Sequence, residues 1–379
     1  LGLRGVGAEG SQIESADGSP VIDLTSNEGA ALLPFGDARV AGALTNRFAG
    51  EAPPDARARL EELLVELIPG ARSVQLLGSY ERARTLALDL ARAGSKERGR
   101  RVLWLGPGAP WSADVVSVPL DEADVFSRVL SELGGRPVGI FVAPLVPEPL
   151  SLEKLREIRD YARECGAVFV LDESQTLFRL APRSVGELAE LRPDLTLLGD
   201  SLSAGLPFGA LISGFDLAVQ VADAGESRWL DGRAVAAARE TVAALAAEPI
   251  HADLAGAGEV LRMAFREAAE REVLHARLVG PAARLELRFD GQEGAEAGLM
   301  LRTFLEELLR QGVLAGPVIR PSVALRGEVL QSAARTIDRA LMRIRALLVE
   351  FNSYLSGGMP FVFPGVDPAI AERGLAVYR

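Results

Sequence analysis

The sequence predicts an α/β chain, in which a large, mostly parallel sheet has helices on both faces and is followed by a smaller α+β domain. Continuous apolar segments alternate with amphipathic helical patterns over residues 54–214, as is typical of parallel strands buried on both faces. After about residue 216 the pattern changes to Ala-rich helices with one short strand. The expected divisions are an N-terminal segment 1–50, a shortened large domain 51–245, a small C-terminal domain 246–350, and a Gly-, Pro- and aromatic-rich tail 351–379.

The elements of the large domain follow from hydrophobic periodicity and its stop signals. The helical spacing over 54–68 ends at Pro69-Gly70, and the strand over 167–172 follows Gly166 directly. Ligands of such sheets gather at the carboxyl ends of the strands, where Asp172 and Asp200 lie. The other predicted elements are strands 21–24, 73–77, 101–105, 138–144, 195–199 and 209–214, and helices 80–93, 121–134 and 151–166.

The C-terminal part is predicted to be mainly helical. Its Ala-rich and amphipathic patterns predict four helices and one strand, and the tail from Asn352 contains too many Gly and Pro residues to be predicted as helix. The predicted elements are helices 233–247, 257–274, 295–311 and 328–351, and strand 283–289.

Composition narrows the function classes. The 379 residues carry a formal charge of −11, from 52 acidic and 41 basic side chains, and only Lys96 and Lys154 among the basic residues are lysines. Net acidity with scattered arginines offers no electrostatic footprint for nucleic acid or an anionic membrane. We therefore expect neither partner.

The single cysteine, Cys165, is predicted to be a small buried thiol rather than a nucleophile, because apolar residues follow it. No apolar segment approaches the ~20 residues that span a bilayer, and no leader precedes Leu1, so we expect a cytoplasmic protein. The missing initiator Met indicates a processed form or a fragment of a longer chain.

Two segments carry a resemblance to a known family. V-F-V-L-D-E-S-Q-T-L-F-R (168–179) and R-P-D-L-T-L-L-G-D-S-L-S-A-G-L-P-F-G-A (192–210) resemble the class-III pyridoxal-phosphate aminotransferases, and within them the glutamate-1-semialdehyde aminomutases. The likeness extends from I-E-S-A-D-G-S-P (13–20) to V-I-R-P-S-V-A-L (318–325). It implies a fold-type-I architecture and an obligate dimer with sites at the interface.

The resemblance assigns roles to individual positions. Asp172 matches the carboxylate that faces the cofactor's pyridine nitrogen, and Gln175 matches the residue beside the ring oxygen. The family's Schiff-base lysine directly follows L-G of P-D-L-x-x-L-G, and that position is Asp200 here. An aspartate cannot form an imine, so the resemblance implies a degenerate member of the family.

Other positions of this chain also differ from the residues with which the family contacts its cofactor. Where the family has a Ser-Gly-Thr turn for the cofactor phosphate, this chain has Ser79-Tyr80-Glu81, which brings a negative charge to an anion site. The aromatic-His-Gly loop that stacks on the ring is replaced by residues 107–114, whose Trp111 either substitutes for that aromatic or, as we prefer, caps a shortened edge. The family's phosphate-binding threonine has no counterpart in W-L-D-G-R-A (229–234).

The remaining candidate residues are few. Lys154 is a remote candidate for the missing amine, whereas Lys96 lies in a charged segment typical of a solvated turn. Arg320 matches a family position that can bind a substrate carboxylate, although an arginine there can equally pair with an acid. His251 and His275 are too far apart to indicate a metal pair, and no metal-ligand cluster is present in the sequence.

These departures predict a catalytically degenerate protein that acts as a binding, assembly or regulatory subunit, in a homodimer or in a heterodimer with a related aminotransferase-fold chain. No cofactor is expected on this interpretation. The alternatives are a lysine-independent enzyme using pyridoxamine phosphate, with Asp200 or Lys154 as base, and a conventional PLP aminotransferase or aminomutase. An engineered replacement of the lysine would explain Asp200 but none of the other departures.

Overall fold

The computed structural model describes residues 4–45, 54–94, 101–118, 136–144, 151–215, 230–289 and 295–357. Its strands are β1 Gly5–Glu9, β2 Gln12–Ser15, β3 Pro20–Asp23, β4 Ser73–Leu77, β5 Val102–Leu105, β6 Val115–Ser117, β7 Gly139–Val142, β8 Val168–Asp172, β9 Leu195–Leu198, β10 Gly209–Ser213, β11 Ala276–Val279, β12 Leu285–Phe289, β13 Val313–Leu314 and β14 Val318–Ile319. Its helices are α1 Ala38–Thr45, α2 Pro54–Leu67, α3 Tyr80–Gly94, α4 Leu152–Cys165, α5 Val185–Leu188, α6 Gly232–Ala247, α7 His251–Arg271, α8 Ala295–Arg310 and α9 Gly327–Gly357. The helix predicted over 121–134 lies outside the described residues.

A seven-stranded sheet in the order β4-β10-β9-β8-β7-β5-β6 forms the centre of the molecule. Strands β5 to β9 pair in parallel, and β10 runs antiparallel to both β9 and β4. Residues on both faces of the parallel strands are buried in separate apolar clusters. The mostly parallel α/β fold is therefore confirmed, and β8 and β9 end at the same edge of the sheet.

Helix α4 shows how local sequence sets the bounds of these elements. The Ser151 hydroxyl accepts a hydrogen bond from the Lys154 backbone N–H (3.0 Å), and Gly166 ends the helix in the left-handed region at φ 68°. The buried face ends at Cys165, which is 5% exposed. The prediction of a buried, structural thiol is confirmed.

Two smaller sheets were only partly anticipated. Strands β1, β2 and β3 pair with β13 in a four-stranded sheet, and β11, β12 and β14 form a three-stranded one. In the first fifty residues the sequence predicts only the strand at 21–24, because β1 is exposed at every position and shows no alternation of apolar and polar residues. Helix α1, likewise, was not predicted.

Helix α9 continues beyond its predicted end. The tail from Asn352 was predicted to be non-helical, but the helix extends to Gly357. Residues 352–356 contain neither Gly nor Pro, so the first strong stop signal is the Gly-Gly pair at 357–358. The rest of the tail, 358–379, lies outside the described residues. None of the helices that the structure describes is long and apolar enough to cross a membrane.

Candidate functional site

A cavity of about 250 Å³ opens at the carboxyl ends of β8 and β9. Its lining includes Tyr80, Arg84, Trp104, Asp172, Gln175 and Asp200. Predicted site residues from two strand ends therefore meet in one space, as expected for a parallel sheet. The Ser201 hydroxyl donates to the Ser174 carbonyl (3.0 Å) and ties the two strand ends together.

Asp172 is the last residue of β8 and is 3% exposed. Its Oδ1 accepts the Ser174 backbone N–H at 3.0 Å, and its Oδ2 accepts the phenol O–H of Tyr80 in a short hydrogen bond. Burial raises the pKa of the carboxyl, while these hydrogen bonds and the nearby charge of Arg84 oppose the increase. Both oxygens of the carboxylate are thus engaged by the chain itself.

The hydrogen bond between Tyr80 and Asp172 was not predicted from the sequence. Tyr80 begins α3, and its ring lies under the guanidinium of Arg84, whose Cζ is 5.3 Å from the ring centroid. Burial and the Asp172 charge raise the pKa of the phenol, so it stays protonated and donates. A large phenol at a family glycine position was the available signal, but its partner is 92 residues away in sequence.

Arg84 also lies over the ring of Trp111, with its Cζ 4.3 Å from the ring centroid. Trp111 packs edge-on against Trp104 and Phe141, with ring centroids 5.3 and 5.7 Å apart. Trp111 therefore packs with Trp104 and Phe141 on one face of the sheet rather than at its edge, and Trp104 is the indole that lines the cavity. Arg84 Nε and Trp111 Nε1 are buried without a hydrogen-bond partner among the described residues.

Asp200 follows Gly199 after β9 and begins a 3-10 turn that ends at Ser203. It lines the same cavity as Asp172 while remaining exposed to solvent on one side. The surrounding protein raises the pKa of this carboxyl, and the charge of Glu81 adds to the increase. The position that the family uses for an amine is therefore a carboxylate with an elevated proton affinity.

The start of α3 shows how the phosphate turn has changed. The Ser79 hydroxyl accepts the Arg82 backbone N–H at 3.3 Å, which caps the helix, and Ser79 does not line the cavity. Glu81 is exposed. A Cβ on Gly209 would lie 2.3 Å from the Ser79 carbonyl oxygen, so the glycine permits β10 to pack against this turn. Gln175, by contrast, does lie in the cavity lining.

The structure does not bring Lys154 to the cavity. Its ammonium pairs with Glu157 at 2.9 Å on the outer surface of α4, so it is not placed to act as amine or base at the strand ends. Lys96 lies outside the described residues. His251 begins α7 and His275 is exposed before β11, and neither lines the cavity. In the part of the chain that is described, no cluster of His, Cys, Asp and Glu could hold a metal ion.

Arg320 is buried and already has an acidic partner. Its Nη1 lies 3.2 Å from Oε2 of Glu28, which is the pairing that the sequence left open. A Cβ on Gly29 would lie 2.8 Å from Arg320 Cδ, and Gly29 adopts φ +93°, so a glycine lets the two segments approach. Burial lowers the pKa of the Arg320 guanidinium, whereas Glu28 opposes that effect.

The segment 229–234 contributes a helix cap. The Asp231 side chain accepts the Arg233 backbone N–H (2.9 Å) and pairs with the Arg233 guanidinium at 2.8 Å, which fixes the start of α6. Residues 230–234 therefore serve the helix terminus, and Trp229 lies outside the described residues.

Comparison with known proteins identifies relatives of one kind. The chain is 26% identical over 355 residues to glutamate-1-semialdehyde 2,1-aminomutase of Methanothermobacter thermautotrophicus, covering 82% of this chain and 84% of the relative. It is 30% identical over 305 residues to the same enzyme of Desulforapulum autotrophicum, covering 70% and 71%. The match to that of Chloroflexus aggregans, 29% identical, spans 60% of the relative's length. No protein-family model matches the chain.

Solved structures confirm the fold. The FumI protein of Sphingopyxis sp. MTA144, solved in its PLP internal aldimine form, matches with a TM-score of 0.80 at 23% identity, over 93% of this chain and 90% of that one. N-acetylornithine aminotransferase from Stenotrophomonas maltophilia K279a matches with a TM-score of 0.77 at 21% identity, over 91% and 97%. The predicted fold-type-I architecture is confirmed by both.

The comparisons contradict the expectation that no cofactor belongs with this chain. Its relatives and structural neighbours are PLP-dependent aminotransferases and aminomutases, so they point to pyridoxal phosphate rather than to no cofactor. The expectation was wrong because it extended the changes at the lysine, phosphate-turn and stacking-loop positions to the whole site, although Asp172 and Gln175 still line the cavity.

A covalently held cofactor nevertheless does not fit the residues present. Asp200 has no amine to offer, and the Asp172 oxygen that would face a pyridine nitrogen already accepts the Tyr80 phenol.

Proposed function

Because the chain belongs to the class-III pyridoxal-phosphate-dependent aminotransferase family, with relatives among the glutamate-1-semialdehyde 2,1-aminomutases, we propose that it is a member without the family's imine chemistry. We propose that it acts instead as a binding, assembly or regulatory subunit. The observation that carries this proposal is the carboxylate of Asp200 at the position of the Schiff-base lysine, in the same cavity as Asp172.

The placement of Lys154 supports the proposal. An amine must approach a carbonyl carbon directly to form an imine. Lys154 is paired with Glu157 on the surface of α4, and no lysine in the described residues lines the cavity. The amine cannot therefore be supplied from the sheet's neighbouring helix without rebuilding α4.

The charge of the cavity supports the same conclusion. Glu28, Asp172 and Asp200 are three acidic residues in its lining against the single guanidinium of Arg84, and Glu81 adds a fourth negative charge near Asp200. A pyridoxal-class molecule bound in this cavity would find no lysine among the described residues to join it covalently.

We propose a dimer as the working form, either of two identical chains or with a related aminotransferase-fold chain. The exposure of Asp200 and Gln175 in the single chain supports this proposal, because the resemblance puts family sites at a subunit interface. Native mass spectrometry of the protein purified from its source separates the two forms. A mass of twice this chain favours the homodimer, an unequal pair favours the heterodimer, and a monomer contradicts both.

The imine test addresses the central claim. Purified protein is titrated with pyridoxal phosphate, the absorbance near the visible edge is recorded, and the mixture is reduced with borohydride for peptide mapping. We expect no saturable imine band. A saturable band whose reduced adduct maps to Lys96 or Lys154 would overturn the proposal, and the Lys96→Arg and Lys154→Arg variants serve as matched controls for non-specific surface reaction.

A second candidate function is lysine-independent amine transfer from pyridoxamine phosphate, favoured by the elevated pKa of Asp200 inside the cavity. In this case Asp200 would take up and return a proton at the substrate carbon, and Asp172 would orient the ligand. Pyridoxal phosphate, when bound in such enzymes, supplies an electron sink. Formation of an amine product from a panel of keto acids, lost in Asp200→Asn, would select this candidate over the first.

A further inference from the structure

We propose that Tyr80 is a built-in competitor for Asp172, so that a ligand with a ring nitrogen reaches this carboxylate only when the Tyr80 phenol leaves it. Tyr80 is then the specificity-determining residue of the cavity for pyridine-type ligands. The inference rests on the proposed function only in treating this cavity as a ligand site.

The hydrogen bonds of Asp172 provide the first argument. Oδ2 accepts the Tyr80 phenol and Oδ1 accepts the Ser174 backbone N–H at 3.0 Å. A protonated pyridine nitrogen needs one of these oxygens. The Ser174 amide is fixed in the backbone immediately after β8, so the phenol is the partner that can be exchanged.

The position of the ring provides the second argument. A Cβ added to Gly199 would lie 3.7 Å from Cδ2 of Tyr80, so the ring packs beside the backbone that leads into Asp200. Its hydroxyl points to Asp172 while its edge lies against this segment. The Tyr80 side chain therefore extends across the space between the carboxylate that the family uses for the ring nitrogen and the position that it uses for the amine.

Neighbouring side chains hold the ring in this position. The Arg84 guanidinium lies over it and is itself stacked over Trp111, at 5.3 and 4.3 Å from the respective centroids. Burial and the Asp172 charge keep the phenol protonated, because both raise its pKa. The phenol thus stays a donor to Asp172 and does not become a second anion in the cavity.

A ring-nitrogen ligand must displace the Tyr80 phenol from Asp172, and this displacement costs about one charge-assisted hydrogen bond. Removing only the phenol oxygen should free Oδ2 and tighten the binding of a ring-nitrogen ligand by roughly tenfold or more. Ligands without a ring nitrogen gain nothing from a free Oδ2. This difference separates competition for Asp172 from a simple gain of space.

The experiment compares two probes and two variants by calorimetric titration. Pyridoxine has the ring nitrogen but neither an aldehyde nor a phosphate, and 2-hydroxybenzyl alcohol has the same hydroxyl and adjacent hydroxymethyl group on a ring without nitrogen. We expect Tyr80→Phe to bind pyridoxine about tenfold or more tightly than the unmodified protein, and to bind the alcohol equally. Adding Asp172→Ala to Tyr80→Phe should abolish the gain.

An unchanged pyridoxine affinity in Tyr80→Phe, or an equal gain for both probes, would overturn the proposal. Circular dichroism verifies that the variant is folded. A measurement on the unmodified protein is independent of the variant: pyridoxine should perturb the tyrosine ultraviolet spectrum as the phenol loses its acceptor, and absence of this change at saturation would also contradict the proposal. Because pyridoxine cannot form an imine, these results do not depend on the outcome of the pyridoxal phosphate titration.

Discussion

Asp172 and Glu173 are adjacent in sequence, buried to the same degree, and different in what surrounds them. Asp172 ends β8 and Glu173 follows the strand, and their carboxylates accept hydrogen bonds from different segments. Asp172 faces the cavity, where Tyr80 and Ser174 are its donors. Glu173 accepts the Ser184 hydroxyl and the backbone N–H groups of Val185 (2.8 Å) and Gly186 (3.1 Å) at the start of α5.

The comparison teaches that burial alone does not identify a site. Burial raises the pKa of both carboxyls, so the pKa does not tell them apart. The two carboxylates differ in their hydrogen-bond partners. Glu173 is enclosed by donors of one neighbouring segment and holds that segment in place, whereas Asp172 borders a space that another molecule can enter. Glu173 therefore holds the start of α5 in place, and Asp172 lines the cavity.

The largest effect on stability is expected for Glu173→Ala. The substitution leaves the Ser184 hydroxyl and two backbone N–H groups buried without an acceptor. We expect the free energy of unfolding to fall by about 4 kcal/mol, from roughly 1–3 kcal/mol for each orphaned buried donor. Urea unfolding measures it, with Glu173→Gln as the matched control that retains one acceptor. A loss below about 1 kcal/mol would contradict the structural role.

Arg179 is a buried cation that does not line the cavity, so its removal should lower the free energy of unfolding, as the removal of Glu173 does. Arg179 donates to the carbonyl oxygens of Ala283 (3.1 Å), Pro321 (3.0 Å) and Gly29 (3.4 Å), which joins segments distant in sequence. Burial and the charges of Arg320 and Arg284 lower the pKa of its guanidinium, so its removal also relieves repulsion.

For Arg179→Met we therefore expect a net loss of about 2 kcal/mol, the cost of orphaned carbonyls less the relieved repulsion. Thermal or urea unfolding measures the loss. The control is Arg302→Met, which removes an exposed arginine paired with Glu306 and should change stability by no more than about 0.5 kcal/mol. Equal effects of the two substitutions would show that Arg179 does not join the segments.

Asp172→Ala should cost much less than Glu173→Ala, although both remove a buried carboxylate. The Tyr80 hydroxyl loses its acceptor at the edge of a cavity, where water can replace the carboxylate oxygen. We expect a loss of about 1 kcal/mol. The same unfolding assay tests this, and a loss as large as that of Glu173→Ala would remove the distinction between the two carboxylates.

The smallest effect is a change in pH dependence for Asp200→Asn. The pKa of Asp200 is raised in the folded state by the surrounding protein and by Glu81. The folded state therefore binds this proton more tightly than the unfolded state, so the stability contribution is present at low pH and is lost as pH rises above about 4.

Urea midpoints measured from roughly pH 4 to pH 7 should fall less with rising pH in Asp200→Asn than in the unmodified protein. Asp172 and Glu173 also have raised pKa values, but both proteins share them, so the difference in slope reports Asp200 alone. Identical slopes would show that Asp200 is fully solvated in the folded chain.

The central strands could be predicted because burial on both faces leaves an unmistakable apolar pattern, as in β5, β7 and β8. The N-terminal sheet could not, because β1 is exposed and because β13 pairs with β3 across nearly the whole chain, with Val313 opposite Ile22. The cofactor expectation failed for a different reason. It relied on the changed lysine, phosphate-turn and stacking-loop positions, whereas the likeness to PLP-dependent proteins extends over most of the fold.

The sequence by itself determined the fold class, the placement of Asp172 and Asp200 at the carboxyl ends of strands, and the absence of an amine at position 200, since residue identity and the alternation of strands with helices are read along the chain. Only the tertiary structure decided which side chains contact one another. It placed the Tyr80 phenol on Asp172, Glu28 on Arg320, and Lys154 away from the cavity. Such contacts join residues far apart in sequence and depend on side-chain orientation, which no periodic pattern encodes.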